Sequence, residues 1–527
     1  MEEFAVHDPT QLLSAASEFA YYPGLQTDTS AKDFLDRFPL PVIINALQSK
    51  MDVLGLESTL VACLERIFRT KYGTSLIPQY MSFVHVGLQA ESQLVKCLAC
   101  KTVSYLLENV NRGAGFGAQL VIDYDVYPLL LDCLISGDEN VAAASMDAIK
   151  NLASSPKGMD IIFPANNDEV THLRNLAARS SSVGRVRVLS LIVKLFSISS
   201  SVASAVYNIN LLSLLEAEIS NQSDMLMTLS VLELIYELAN IPYATQFLSR
   251  TPLLQILAML IGLFNVLVEP ILRSRAIMIS GRILSKDDIF MSIDESTIKT
   301  VLLAIDGRLR SLESQDADEC ESALEALGQI GSSIQGAALL LSSSSSIAKH
   351  VVDAAFDRQG RGKKMAALHA LGNIVGENRP EDHRLLNNDV EENLRHLIYE
   401  TAAKSPKITP SGLFLSTLQQ DSEIRWAAYR LITGLVTRPW CLIEICSKQE
   451  IISMVTDAHI ESAKKGMEAR YKCCQAIHKA LLASNKLNSD PALTVIASKL
   501  QEAVRRGPYL AREWAEAQPA VVTAERL

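Results

Sequence analysis

The amino-acid sequence predicts an all-α, right-handed superhelical solenoid of about ten helical repeats, and three observations predict it. A short apolar phrase recurs, as Ala148-Ile149-Lys150-Asn151-Leu152, Leu234-Ile235-Tyr236-Glu237-Leu238, Ala326-Leu327-Gly328-Gln329-Ile330 and Ala370-Leu371-Gly372-Asn373-Ile374. Taking its last apolar residue as reference gives a ladder: Ile67, Leu107, Leu152, Leu195, Leu238, Ile283, Ile330, Ile374, Leu435 and Leu481. The steps are roughly 40 to 47 residues, the period of armadillo and HEAT units, with one longer step before Leu435. The composition agrees: 48% of residues are hydrophobic but only 6% aromatic, which suits helices packed through Leu, Ile, Val and Ala.

The elements follow in order. Residues 1–40 are expected to form an N-terminal helical cap, with a helix over Pro9 to Ala20, a turn at Tyr21 to Gly24 and a second helical stretch from Ala31. Residues 41–505 are expected to form one continuous repeat body, and 506–527 a partly disordered tail. Within the body, Val141, Ala144, Ser145, Ala148, Ile149 and Leu152 fall on one stripe of a helix. Cys320, Ala323, Leu324, Leu327, Ile330 and Gly331 repeat that spacing, and so do Ile424, Ala427, Ala428, Leu431, Ile432 and Leu435. Asp318 and Glu321 have the spacing of a capping box.

Polar turns such as Ser136-Gly137-Asp138-Glu139, Asn221-Gln222-Ser223-Asp224, Ser314-Gln315-Asp316 and Gln420-Asp421-Ser422 separate the helices, so the repeat is predicted as helix, turn, helix. Small residues late in second helices, among them Gly281, Gly328, Gly331, Gly372 and Gly434, predict close helix packing. The long step contains Lys404 to Gly412, whose two prolines forbid a continuous helix, and an extended loop is expected as an insertion near 401–412. Ser342 to Ser346 and Arg358 to Lys364 are expected as further loops.

The formal charge is −10 and is spread along the chain, which disfavours nucleic acid and anionic membranes as partners and favours a basic protein surface. The start, Met1-Glu2-Glu3-Phe4-Ala5-Val6-His7-Asp8, carries acid where a secretory signal carries base. Pro252 to Val268 is apolar but, at about 17 residues, is at the lower limit for a bilayer span and in register as a first helix. A cytoplasmic location, possibly also nuclear, is therefore expected. Nine cysteines without regular spacing, including Cys63, Cys133, Cys320 and Cys446, are expected to be buried thiols rather than a disulfide framework.

Catalytic patterns are missing. Cys97-Leu98-Ala99-Cys100 has no second pair at zinc-binding distance, and Cys473-Cys474 would diverge by about 100° on a helix. His369, His396 and His478 stand singly, and Gly113-Ala114-Gly115-Phe116-Gly117 lacks the Gly-Lys-Ser/Thr of a phosphate loop. Neither an enzyme nor a cofactor is expected. The expected functional surface is the polar face of the second helices, which line the concave side in solenoids. Its candidates are Lys150, Asn151, Glu237, Asn240, Arg282, Gln329, Asn373 and Arg430, together with Trp426 and Trp440 as aromatic anchors. A nuclear-import adaptor would carry a repeated Trp-x-x-x-Asn array, whereas Trp426 is followed four residues on by Arg430 and Trp440 by Glu444.

The segment Gly412-Leu413-Phe414-Leu415, then Glu423 to Arg430, Arg438-Pro439-Trp440, Lys465, Arg470-Tyr471-Lys472 and Gly507-Pro508-Tyr509 resembles the proteasome non-ATPase regulatory subunit five family. The resemblance implies an armadillo/HEAT solenoid that chaperones assembly of the 26S proteasome regulatory-particle base. By that likeness the chain would hold the C-terminal domain of one ATPase-ring subunit within assembly intermediates, block premature docking, and be a monomer when free. The Gly113 loop and the Lys404 to Gly412 segment depart from the family pattern. A generic armadillo adaptor, in nuclear transport or signalling, is the alternative.

Overall fold

Each rung of the ladder falls in the last turn of a helix. The computed structural model describes residues 9–49, 53–108, 115–164, 172–221, 224–262, 270–311, 317–342, 346–357, 360–484 and 491–509, which form helices and turns with no strand among them. The acidic start, the Ser314–Asp316 turn, the tail from 510 onward and parts of the loops at 113–114, 222–223, 343–345 and 358–359 lie outside the described residues. Contacts divide the chain into two units, Met1–Phe247 and Leu248–Leu527.

In the first unit the second helices are Leu56–Phe68, Gln93–Glu108, Glu139–Ala153, Ser182–Phe196 and Met225–Ala239, each packed on the next. The later four are backed by the first helices Met81–Leu88, Val126–Ser136, His172–Arg179 and Leu212–Asn221. The terminal cap is present as helices Pro9–Ala20 and Asp28–Arg37, the latter opened by a capping box at Thr27. In the second unit the row is Pro270–Leu284, Ala317–Ile330, Arg361–Ile374, Ser422–Leu435 and Lys464–Ala483, again each on the next. Stacked helix pairs of this kind are the arrangement of an α-solenoid.

The predicted stripes are the buried faces, and the anchors Ile67, Leu152, Leu195, Ile330, Ile374 and Leu435 are fully buried. Leu107 is the exception: Leu106 takes the core position and Leu107 is half-buried. One residue is about 100° of helix rotation, so a one-residue error in register turns the side chain off the buried face. Three predicted acidic turns supply N-caps, with Asp138 accepting from Val141 N at 2.8 Å, Asp224 from Met227 N at 3.0 Å, and Asp421 from Ile424 N at 3.3 Å. The Asp318–Glu321 box is not formed, because Asp318 already lies inside the Ala317–Ile330 helix.

The repeat is not simply helix, turn, helix. A short helix precedes the first helix in many units, as Lys71–Leu76, Pro156–Ile162, Ile334–Leu340 and Pro439–Cys446. The first three of these share the design of their start. Thr70 Oγ1 donates to the anchor carbonyl of Ile67 at 2.7 Å and accepts from Gly73 N at 3.0 Å. Ser155 bridges Leu152 O and Gly158 N in the same way, at 3.2 and 3.1 Å, and Ser333 bridges Ile330 O and Gly336 N at 3.1 and 2.9 Å. A Cβ on any of these glycines would overlap the anchor's carbonyl oxygen. The short helix therefore turns directly off a last-turn carbonyl of the second helix, and only glycine leaves room.

Small residues also set the spacing between second helices. A Cβ on Gly281 would come within 2.7 Å of Ala326 Cα, and one on Gly328 within 2.7 Å of Ala370 Cα. Gly372 faces open space instead, so its presence is not explained by packing.

The long step before Leu435 holds a helix rather than an extended loop. Asn388–Lys404 occupies most of it, and a tight turn containing Ile408 at φ 62° leads into Pro410–Leu418, capped by Thr409 with Pro410 at N1. The prolines do stop the helix, but the next one starts at the second of them. The inserted helix packs between Ile347–Phe356 and Pro410–Leu418.

Buried charge ties the second unit together. Glu319 is fully buried and receives two guanidinium forks, Arg273 at 3.1 and 3.2 Å from the Pro270–Leu284 helix and Arg308 at 2.8 and 3.1 Å from the Glu295–Ser311 helix. Arg438, 2% exposed, pairs with Glu391 at 2.6 and 2.9 Å and donates to the Gly434 carbonyl at 2.9 Å. Of the apolar segment Pro252 to Val268, residues 253–262 form the helix Leu253–Gly262, while 263–268 lie outside the described residues. No helix among the described residues is long and apolar enough to cross a membrane.

Two outcomes follow. Gly158→Ala should destabilise the protein by about 1–3 kcal/mol through overpacking against Leu152 O, read as a lowered urea midpoint, whereas Gly372→Ala should leave it unchanged. Glu319→Gln removes the charge from two buried arginines and should cost about 3–5 kcal/mol; an unchanged midpoint would show that the triad is not an electrostatic staple.

Candidate protein-binding surface

The second helices present their polar faces side by side, and grooves run between them. In the first unit a groove of about 640 Å³ lies over Leu56–Phe68, Gln93–Glu108 and Glu139–Ala153 and includes Lys150 and Asn151. Lys150 is exposed. Asn151 is held down, its Nδ2 donating to Ser104 Oγ at 2.6 Å and Glu108 Oε1 at 2.8 Å, so it joins neighbouring repeats. Glu237 and Asn240 are exposed at the end of the Met225–Ala239 helix, and Asn240 folds back onto the Tyr236 carbonyl at 3.0 Å.

In the second unit a groove of about 710 Å³ crosses Ala317–Ile330, Arg361–Ile374 and the start of Ser422–Leu435. Its carboxylates are Asp318, Glu321, Glu325 and Glu423, and it brings together the predicted residues Gln329 and Asn373. Its one arginine, Arg361, is bound to Glu423 and, at 3.3 Å, to Asp421. That hydrogen bond is the main reason the Asp421 carboxyl sits below its ordinary pKa. The groove is thus acidic, with four carboxylates in its lining against one arginine.

Arg430 and Asn373 meet, as predicted for adjacent second helices, but in a closed network. Arg430 donates to Glu377 Oε2 at 2.9 and 3.2 Å, to Asn373 Oδ1 at 3.4 Å, and to His369 Nδ1 at 2.8 Å. An arginine can only donate, so His369 Nδ1 is the acceptor and the imidazole is neutral there. One face of His369 is solvent-exposed, yet the packed surroundings and then the Arg430 guanidinium push its pKa below the ordinary imidazole value. Arg282 is half-buried, its Nε hydrogen-bonded to no described residue, and Gln329 Oε1 is likewise buried.

The tryptophans have different surroundings. Trp426 Nε1 donates to Glu461 Oε2 at 2.7 Å, and the same carboxylate, 2% exposed, binds Arg425. Gly466 packs directly over that indole. Trp426 is therefore half-buried and locked in a framework between repeats. Trp440 is half-buried on the Pro439–Cys446 helix with its ring 5.8 Å from that of Tyr399.

Glu461, Glu319 and Glu391 were not singled out from the sequence, since a buried carboxylate looks like any solvated one until its arginine arrives. The Ser/Thr-x-x-Gly start three residues after an anchor was legible, and the repeated Ile67-Thr70-Gly73, Leu152-Ser155-Gly158 and Ile330-Ser333-Gly336 spacing is its signal. No two cysteines are joined in a disulfide. Burial raises Cys474 to about 11 and Cys63 to about 12. Cys474 contacts Leu500 O at 3.7 Å, while burial on the other side of the same helix raises Cys473, next to Thr433. Among the described residues no three metal-binding side chains cluster.

The C-terminal motif residues are structural staples. Arg470, 1% exposed, donates to Val455 O at 2.8 Å and Pro508 O at 3.4 Å, and Tyr509 Oη donates to Glu468 at 2.6 Å. With Arg438 in its buried pair, they explain the Arg-Pro-Trp and Gly-Pro-Tyr pieces as fastenings of the last repeats. The family model described as proteasome non-ATPase 26S subunit matches residues 57–526.

The chain belongs to the proteasome non-ATPase 26S subunit family. That match extends well beyond the Gly412 to Tyr509 segment that carried the resemblance in the sequence. No curated protein sequence is significantly similar to this family member. Among solved structures it is similar to an engineered protein, at 16% identity and a TM-score of 0.44, covering 80% of this chain and 99% of that one. It is also similar to a chain of the Kap95:Nup1 complex, at 11% identity and a TM-score of 0.49, covering 94% of this chain and 60% of that one. The solenoid assignment for this family member rests on its own helix contacts rather than on these two likenesses.

His369 provides a pH test of the Arg430 network. Its folded pKa is lowered, so the unfolded chain binds more protons near and below the ordinary value of 6.5, and stability should rise with pH through that window. Because the ring is exposed, the slope should be a fraction of the limiting value of about 1.4 kcal/mol per pH unit. Melting the wild type and His369→Gln from pH 5 to 7 (roughly spanning the imidazole range) should show a shallower rise in the variant; parallel curves would remove His369 from the account.

Proposed function

We propose that this family member is a non-catalytic protein-binding scaffold of the subunit five type. In this reading it acts as a chaperone in assembly of the 26S proteasome regulatory-particle base, in the cytoplasm and also the nucleus, as a monomer when free. It holds the C-terminal domain of one ATPase-ring subunit within assembly intermediates and sterically blocks premature docking. The observation that carries this reading is the groove of Asp318, Glu321, Glu325 and Glu423 on a chain of the proteasome non-ATPase family. Such a groove suits a basic helical partner.

Exposed charge pairs contribute about 0–1 kcal/mol each, so several must act together. That is appropriate for a chaperone that must let go. Charged rims act more on encounter rate and partner choice than on ultimate affinity. Asn373 and Arg430 face each other in a closed network, and the exposed carboxylates are therefore the better contacts.

The direct test measures binding of isolated ATPase-ring C-terminal domains to the pure full chain. Glu325→Lys combined with Glu423→Lys should weaken the preferred domain at least tenfold, about 1.4 kcal/mol, with a steep salt dependence in the wild type. A pull-down from lysate should recover free ATPase-ring subunits without core particle. Recovery of nuclear transport or signalling factors in their place would favour the generic adaptor.

A further inference from the structure

The second unit has another cavity with the opposite chemistry. It is an open pocket of about 1130 Å³ at the C-terminal ends of the helices Ser422–Leu435 and Lys464–Ala483, bounded by segment 377–384 and the Pro439–Cys446 helix. Its floor is apolar, from Val436, Leu442, Ile443, Ala476, Ala480 and Ala483. Ile443 is 49% exposed, although the segments around it are well packed. The charged lining comprises Arg379, Arg384, Lys472 and Lys479 against Glu377 and Glu381.

Both carboxylates are already engaged. Glu377 accepts from Arg430 at 2.9 Å, and Glu381 pairs with Lys479 at 2.5 Å across the pocket mouth. Arg379 is 8% exposed and its Nη2 donates to the carbonyls of Gly331 and Ile374, at 2.8 and 2.7 Å, while its buried Nη1 bonds no described residue. Burial, and then neighbouring Arg438, depress its pKa to about 10, as expected where cations crowd. Lys472 is exposed, with no carboxylate partner among the described residues. Arg384 reaches only the Glu377 carbonyl, at 3.4 Å, and its buried Nε bonds no described residue. On a chain of charge −10 this is a local inversion, combining uncompensated cations with an apolar floor.

We propose that this pocket is a second docking site, for an acidic peptide segment of a partner protein that carries aliphatic side chains. The aliphatic groups cover the Leu442–Ile443 floor, Lys472 and Arg384 receive the carboxylates, and Lys479 exchanges Glu381 for a carboxylate of the incoming segment. Charge complementarity selects this occupant, since the lining sets four cations against two carboxylates that are already engaged. The site is independent of the acidic groove, which selects a basic partner.

The experiment uses the full chain and an end-blocked, fluorescein-labelled ten-residue peptide of alternating Glu and Leu, with Lys/Leu and Ser/Leu peptides as controls. Fluorescence anisotropy should show saturable binding of the acidic probe alone, weakened severalfold by added salt. Lys472→Glu combined with Lys479→Glu changes only exposed side chains and should reduce that affinity at least tenfold at an unchanged melting temperature. Ile443→Ser, which keeps the charge, should reduce it severalfold and so report the apolar floor separately. Equal binding of all three peptides, no saturable binding, or an acidic-probe affinity insensitive to both variants would overturn the proposal. So would a wild-type dimer that the double variant abolishes, because the pocket would then be a self-interface.

Discussion

The junction at the end of three second helices, after Ile67, Leu152 and Ile330, is the constraint on which their repeats depend. A side-chain hydroxyl sits between the anchor carbonyl and a glycine N–H, at Thr70, Ser155 and Ser333, so the chain reverses into a short helix within a few residues. Each pair of hydrogen bonds satisfies a last-turn carbonyl of one helix and a first-turn amide of the next, groups that the ends of a helix otherwise leave open. Because the next helix starts against that carbonyl, its direction is set by contact and not by a flexible linker. The apolar anchor one turn below is buried by the same event.

Charge in the second unit is sorted between inside and outside. Arg273, Arg308, Arg425, Arg430 and Arg438 turn toward carboxylates within the framework, and Arg379 and Arg470 toward carbonyls. Planar guanidinium forks suit such buried, multiply bonded positions better than a lysine ammonium does. Withdrawing these cations leaves the second-helix groove with its surplus of carboxylates. At the turn end of the same helices, Lys472 and Lys479 restore positive charge around an apolar floor. One unit thus carries two surfaces of opposite preference, and neither depends on net charge alone.

This sorting also changes the meaning of the aromatic and motif residues. Trp426 is fixed within the framework, its indole N–H held by Glu461 and Gly466 packed over it. Arg438 and Arg470 similarly fasten the last repeats. Arg438 and Arg470 thus belong to the framework of the last repeats, while the proposed partner surface rests on exposed carboxylates such as Glu325.

The row of second helices was legible in the sequence because burying one face of a helix imposes a 3.6-residue period, and stacking repeats imposes a longer one. The stripe through Val141 and Leu152, the caps at Asp138 and Asp421, and the buried cysteines all follow from local rules. Proline content showed where the Lys404 helix stops but not that Asn388–Lys404 fills the long step, since a stop signal says nothing of what precedes it. Which carboxylates are buried was decided by tertiary structure, as Glu319 meets Arg273 across 46 positions and Arg438 meets Glu391 across 47. The pairing of distant charges has no periodicity to announce it, so sequence determined the repeating scaffold and only the packed structure decided which polar residues remain available for a partner.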